Sequence, residues 1–223
     1  MSEFKKALFG QFAKIAKAVS SGNRLEMLEF LAQCEYSVED LAKLMELSVA
    51  NTSQHLQQLR QADLVTARKS GQHVFYRVNG EDVIELVHSL RTVAQRHLAE
   101  VDQLVNSYLT AQDSLEPITR GELLQRAQEG SVLVLDVRPS AEYRAGHLPG
   151  AINISLADLK KHLADFDQEQ EIVAYCRGPY CVLAFEAVKL LRGKKFRARR
   201  LQDGYPEWKG AGLPVECDVY PGS

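Results

Sequence analysis

Apolar residues in the first hundred positions recur at helical spacing, then briefly alternate, then return to helical spacing. Phe4, Leu8, Phe12, Ile15 and Val19 fall three or four apart, which predicts an amphipathic helix, and a second helix is expected over 23–30. Ser37-Val38-Glu39-Asp40 offers a hydroxyl cap with an acidic residue three positions on, opening a short helix over 41–45. Beyond Glu46-Leu47, Ser48 caps another helix reaching residue 62. Its inner face carries Thr52, Leu56 and Leu59, and its outer face Asn51, Gln54, His55 and Gln58. Residues 64–69 alternate as a strand, Ser70-Gly71-Gln72 turns, and 73–78 returns as the second arm of a hairpin. Val83, Val87, Leu90, Ala94, His97, Val101, Leu104 and Tyr108 then step by four and three, a heptad seam on one long helix.

The second half changes period. Residues 111–116 form a short polar linker, and Pro117 stops the long helix. Thr119 caps a helix running to 129, and a wholly apolar strand follows at 132–135. Further strands are expected over 151–154, 172–175 and 196–201, with helices at 157–163 and 182–191. Such alternation predicts a mainly parallel sheet covered on both faces. The chain thus divides into a mainly-α winged helix-turn-helix domain over 1–112 and an α/β domain over 113–223.

Composition narrows this picture. A chain of 223 residues, 45% hydrophobic and 25% charged, suits two soluble, core-forming domains. A net charge of −2 predicts no bulk attraction to nucleic acid, so any DNA contact must come from local clustering. Lys5, Lys6, Lys14 and Lys17 interrupt the N-terminal apolar row, and no segment is apolar enough to span a bilayer. Four cysteines without a signal peptide imply a reducing cytoplasm in which thiols are available for chemistry, and no membrane partner is expected.

Two short helices, the second presenting amides and hydroxyls, describe a helix-turn-helix with its recognition helix. Asn and Gln bond adenine edges in the major groove, although a polar helix face is more commonly just solvated. The hairpin shifts the balance, because Arg68 and Lys69 near its tip suit a wing touching phosphate. The run Leu47-Ser48, Ser53-Gln54-His55-Leu56, Leu59-Arg60 and Ala62-Asp63-Leu64-Val65, with its wing, resembles the ArsR-type winged-helix repressors over residues 5–110. That resemblance implies a homodimer that binds operator DNA through Asn51, Ser53, Gln54, His55, Gln58, Arg68 and Lys69 and releases it when an inducer arrives. The heptad seam independently favours pairing with a symmetry mate, with His97 read as a hydrogen-bonded core residue rather than a ligand. The family's inducer ligands are missing. Where arsenic sensors carry Cys-Val-Cys, this chain has Ser37, Val38 and Glu39. Of the zinc-sensing positions on the last helix only Asp82 has a match, the others being Gly80, Val93 and Arg96. No metal site is expected in this half, and Cys34 stands without a partner thiol there.

Candidate chemistry lies instead at Tyr175-Cys176-Arg177-Gly178-Pro179-Tyr180-Cys181, where an apolar strand ends and a helix begins. A thiol at the carboxyl end of a strand and before a helix sits in a positive backbone field that favours the thiolate. The loop N–H groups, apart from that of Pro179, could cradle an anion. Two cysteines could equally be half of a metal clip or small buried hydrophobes, but a zinc site would lack its other ligands. Leu135-Asp136-Val137-Arg138-Pro139, Glu142-Tyr143, Gly146-His147-Leu148-Pro149-Gly150-Ala151-Ile152-Asn153 and Asp203-Gly204-Tyr205-Pro206-Glu207-Trp208 surround that loop and resemble a rhodanese domain over 115–215. The resemblance implies that Cys176 accepts sulfane sulfur as a persulfide, with Arg177 beside it in the catalytic site and Asp136, Arg138 and His147 supporting the loop rather than reacting. Without it, Asp136 and Arg138 read as an ordinary ion pair. Phosphatases on related loops place Arg six positions after the cysteine; here that residue is Val182, which argues against phosphatase activity. Cys181 inside the loop could attack a Cys176 persulfide, provided the two Cα atoms lie within about 7 Å.

The joint expectation is a DNA-binding repressor, similar to the ArsR–rhodanese fusion regulators, whose Cys176 senses a small sulfur donor or reactive sulfur species without a cofactor. A sulfurtransferase tethered to a DNA-binding domain is the alternative, and an arsenite- or metal-responsive repressor the third.

Overall fold

The computed structural model describes residues 2–110 and 117–218, so the expected linker at 111–116 lies outside the described residues. Compactness divides the chain into Met1–Leu90 and Arg91–Ser223. The expected boundary near 112–113 falls in that same undescribed stretch.

In the first unit, α1 (Glu3–Ala18) and α2 (Gly22–Leu31) precede a short strand, β1 (Tyr36–Ser37). Ser37 caps α3 (Val38–Leu44) by accepting from the Asp40 N–H at 3.1 Å, and Ser48 caps α4 (Val49–Gln61) by accepting from the Asn51 N–H at 3.2 Å. β2 (Val65–Ser70) and β3 (His73–Val78) then form an antiparallel hairpin, with strand order β1-β3-β2. Ser70 lies opposite His73, leaving a two-residue turn whose first residue, Gly71, has φ +61°, a conformation glycine adopts without strain. Met27, Leu28, Leu41, Leu56 and Leu59 fill the core, and Thr52 joins them on the inner face of α4. The outer apolar row of α1 is not covered, with Phe4 75% and Phe12 57% exposed.

The long seam helix is not continuous. α5 (Glu81–His97) ends before Leu98, whose extended backbone (φ −114°, ψ 102°) starts α6 (Ala99–Val105), and a π-helical turn covers Asn106–Thr110. No Pro or Gly lies at the break, and the flanking charges suit it. Arg96 and His97 suit the negative C-terminus of α5, while Glu100 and Asp102 suit the positive N-terminus of α6. His97, expected as a core histidine, is exposed.

In the second unit, Thr119 caps α7 (Arg120–Gln128), which leads to β4 (Val132–Asp136), α8 (Ser140–Ala145), β5 (Ile152–Asn153) and α9 (Leu156–Leu159). After a 3-10 turn come β6 (Glu171–Tyr175), α10 (Val182–Gly193), β7 (Ala198–Arg200) and α11 (Tyr205–Gly210). Among the described residues the sheet has order β5-β4-β6-β7 and is parallel throughout. Strand alternation sorts its two faces. Leu135, Ile172, Ala174 and Cys176 meet Ala184, Ala187, Val188 and Leu191 on one side, while Val134, Val173 and Tyr175 meet Leu123, Tyr205 and Trp208 on the other. α8 and α11, which hydrophobic periodicity did not predict, are single short helices in the loops after β4 and β7.

Candidate functional sites

Period-2 alternation along β6 decides where Cys176 points. Continuing the face of Ile172 and Ala174, its side chain turns toward α10, whose N-cap residue is Cys181. The two sulfurs are bonded to one another, with Cα atoms 6.1 Å apart, inside the limit that a disulfide needs. Both residues are buried. A turn closes the loop between them, since the Cys181 N–H donates to the Gly178 carbonyl at 3.1 Å. That donor is therefore occupied within the loop rather than directed at an anion.

The loop is held from several sides. The Cys176 carbonyl accepts from the Tyr205 N–H at 3.1 Å. Gly204 presses on the Arg177–Gly178 peptide so closely that a Cβ there would lie 2.3 Å from the Gly178 nitrogen, so no larger residue fits without moving the loop. Arg177 turns away to a fully buried carboxylate, donating from Nη2 and Nε to Glu142 at 2.7–3.0 Å. Gly178 is buried, while Pro179 and Tyr180 are half-buried at the loop's outer edge.

Asp136 and Arg138 form a separate network. Both are fully buried, and Arg138 donates to Asp136 from its backbone N–H, Nε and Nη2, the last at 2.7 Å. Nη2 also reaches the Gly146 carbonyl at 2.7 Å, and the guanidinium lies 4.5 Å over the Tyr205 ring. Tyr175 donates its hydroxyl to Asp136 at 2.5 Å and accepts from the Leu148 N–H. Burial opposes the Arg138 charge, but the bonds and charge of Asp136 outweigh it and hold the guanidinium pKa above its ordinary value. Burial, then the adjacent carboxylate, pushes the Tyr175 phenol up. The arrangement braces the strand ends through Tyr175 and Tyr205, the residues flanking Cys176 in sequence and in hydrogen bonding. His147 stacks on Tyr143 with ring centroids 3.7 Å apart, bonds the Tyr143 carbonyl through Nδ1, and pairs in a backbone bridge with Glu216.

On the first unit, Asn51 and Gln54 are exposed on α4, and Ser53 is half-buried. His55 faces Asn23 at 3.5 Å, and the Gln58 carbonyl oxygen accepts from Arg24 at 2.5 Å. Arg24, buried on α2, also donates to the Lys17 and Ala18 carbonyls and so ties the end of α1 to α4. At the wing, Arg68 pairs with Glu35 at 2.6 Å and stacks on Phe75, while Lys69 is exposed.

Three comparisons bear on these sites. Residues 119–211 match the rhodanese-like domain family, and residues 21–67 match the bacterial regulatory protein, arsR family. The HTH-type transcriptional regulator Rv0324 of Mycobacterium tuberculosis is 44% identical over 215 residues, covering 96% of this chain and 94% of that protein. The chain belongs to the ArsR family, in the form that carries a C-terminal rhodanese-like domain. The transcriptional activator HlyU of Vibrio cholerae is 42% identical over 79 residues, 34% of this chain and 73% of its own. A Mycobacterium bovis structure, described as a homodimeric winged helix-turn-helix DNA-binding domain (fragment 1–100), is 40% identical, with a TM-score of 0.41, over 44% of this chain and 91% of its own.

In this ArsR-family regulator the positions where sensors of the family hold metal are occupied otherwise. Ser37 caps α3, and Glu39 pairs with His73 at 3.5 Å. Among the described residues, no group of three or more His, Cys, Asp or Glu side chains is placed to hold a metal ion, and no helix is long and apolar enough to cross a membrane. Cys34 is half-buried and Cys217 exposed, both outside the disulfide. Sequence reasoning placed Glu142 and Tyr175 in their blocks without their partners, and did not single out Arg24 or Glu35. Each partners a residue that was singled out, but from 32 or more positions away, a separation at which local spacing carries no signal.

Proposed function

We propose that the protein is a cytoplasmic, homodimeric repressor that releases or rebinds operator DNA when sulfane sulfur reaches Cys176. The observation that carries this reading is the disulfide that joins Cys176 to Cys181, the second cysteine of the loop, at the start of α10. The Cys176 thiolate attacks the outer sulfur of a donor such as thiosulfate, and sulfite leaves with the bonding electrons. The Cys181 thiolate then attacks Cys176 Sγ, and the added sulfur leaves as sulfide. The sulfane sulfur is thereby reduced by two electrons, and the two cysteines are oxidised to the disulfide. A resolving thiol so near favours a switch thrown once over a sulfurtransferase that must pass its persulfide to an acceptor. Exposed apolar side chains on α1, and Leu104 and Tyr108 on the seam, support the homodimer. Asn51, Gln54 and Lys69, being exposed, support base and phosphate contact.

The test joins intact-protein mass to operator titration before and after sulfane-sulfur treatment. Cys176→Ser should bind operator normally and stop responding, and Cys217→Ser should respond like the parent. Cys181→Ser should retain one added sulfur, about 32 Da, in place of the disulfide. Release of DNA by treated Cys176→Ser would sink the reading and turn attention to Cys34.

A further inference from the structure

Tyr180 precedes Cys181 directly, and within the second unit it is gripped by the last turns of α5. The Gln95 side-chain amide donates to the Tyr180 hydroxyl, and the Arg91 guanidinium lies 5.7 Å from the Tyr180 ring centroid. Arg91 Nη1 also donates to Glu207 Oε1 at 2.6 Å, in a pair only 16% and 10% exposed. The other oxygen of Glu207 accepts from the Gly204 N–H at 3.1 Å, and Gly204 is the glycine pressed against the Arg177–Gly178 peptide. Both guanidinium nitrogens of Arg91 come within 3.7 Å of where a Cβ on Gly178 would stand. Two side chains one helical turn apart therefore touch the loop at Gly178 and Tyr180, on either side of Pro179.

We infer that Arg91, Gln95 and Tyr180 form a latch through which the bonded state of Cys181 is read out on α5. The chemistry follows from adjacency. Breaking or making the Cys176–Cys181 bond moves the Cys181 sulfur, and the turn closed by the Cys181 N–H and Gly178 carbonyl carries Tyr180 with it. Displacing the phenol costs α5 its Gln95 bond and its Arg91 ring contact together. α5 runs from Glu81 to His97, so a change at residues 91–97 acts on the helix that begins directly after the wing hairpin. The latch rests on the reading of Cys176 and Cys181 as a reversible dithiol.

Hydrogen exchange of the full-length protein, oxidised and after reduction with dithiothreitol, tests the latch without any sulfur donor. Amides of residues 91–97 should exchange roughly three- to tenfold faster in the reduced form, the change expected from losing one or two modest contacts. In Gln95→Ala and in Arg91→Gln/Gln95→Ala the two redox forms should exchange alike over 91–97, while thiol titration still finds the disulfide forming. A merely structural role would instead raise exchange equally in both forms. Equal exchange of the two redox forms in the parent protein overturns the latch, as does an undiminished difference in the double variant. If the exchange difference is present and lost as expected, yet treated Cys176→Ser still releases DNA, the latch stands and the sulfur-sensing reading falls.

Discussion

The side chains of α4 proposed to read DNA lie at or near the surface, and some have partners within the domain. Gln58, though exposed, is engaged by Arg24, His55 faces Asn23, and the exposed Arg68 is paired with Glu35; Asn51, Gln54 and Lys69 are exposed as well. The cysteine loop is the reverse case. Its bonded cysteines are buried, and the charged residues around it are satisfied by one another: Asp136 by Arg138 and Tyr175, Glu142 by Arg177, Glu207 by Arg91. The contrast matches the two tasks proposed for these regions. A DNA-reading face must stay open and exchange weak contacts with solvent for contacts with bases and phosphates. The cysteine loop is instead held among buried groups that satisfy one another, so that displacing one atom disturbs several contacts.

The largest effect should come from breaking the buried network. Arg138→Leu leaves the Asp136 carboxylate buried without its cation, a defect of about 3–5 kcal/mol and a large share of a domain's stability. Trp208, the chain's single tryptophan, is buried in the same unit and reports its unfolding by fluorescence. The expected result is a clear fall in the denaturant midpoint of that signal. An unchanged midpoint would mean that the network is dispensable and that the contrast between the two regions is overstated.

Much of this was legible in the sequence, for identifiable reasons. Ser37 and Ser48 announce their helices because capping is local, and the hairpin follows from alternation around Gly71. The position of Cys176 at a strand end was readable from the apolar run before it, and the order of blocks carried the rest of the rhodanese-like fold. The break at Leu98 was hidden because the heptad seam runs through it unchanged; only the switch from Arg96-His97 to Glu100 and Asp102 marks it. Partnerships between distant positions were hidden for a different reason. That Arg177 serves Glu142, and that Gln58 is held by Arg24, depends on packing between elements. Residue type alone suggested that both polar side chains face a ligand.

A smaller effect separates residues on one helix face. Gln54→Ala should lose discrimination at one base pair by about 1–3 kcal/mol, measured as the ratio of affinities for operators differing only there. Gln58→Ala should alter that ratio far less, because its amide oxygen is already engaged by Arg24. Equal losses from the two variants would show that the Arg24 contact gives way on DNA.

The smallest effect concerns the wing, where two adjacent cations differ in what they must give up. Lys69 is exposed, whereas Arg68 is held by Glu35 and by the Phe75 ring. Burial and the Glu35 carboxylate act oppositely on Arg68, and its pKa is raised first by the hydrogen bond to Glu35 and then by that residue's charge. The Glu35 pair is exposed and weak, so a phosphate should gain somewhat less from Arg68 than from Lys69. Lys69→Ala should flatten the plot of log affinity against log salt by about one unit, and Arg68→Ala by visibly less. Removing the competitor sharpens the test. Glu35→Gln frees Arg68, so the salt slope should steepen and binding at low salt should tighten. Should Arg68→Ala flatten the slope as much as Lys69→Ala, with Glu35→Gln silent, the Glu35 pair dissolves on contact with DNA and the wing is as open as a solvated surface.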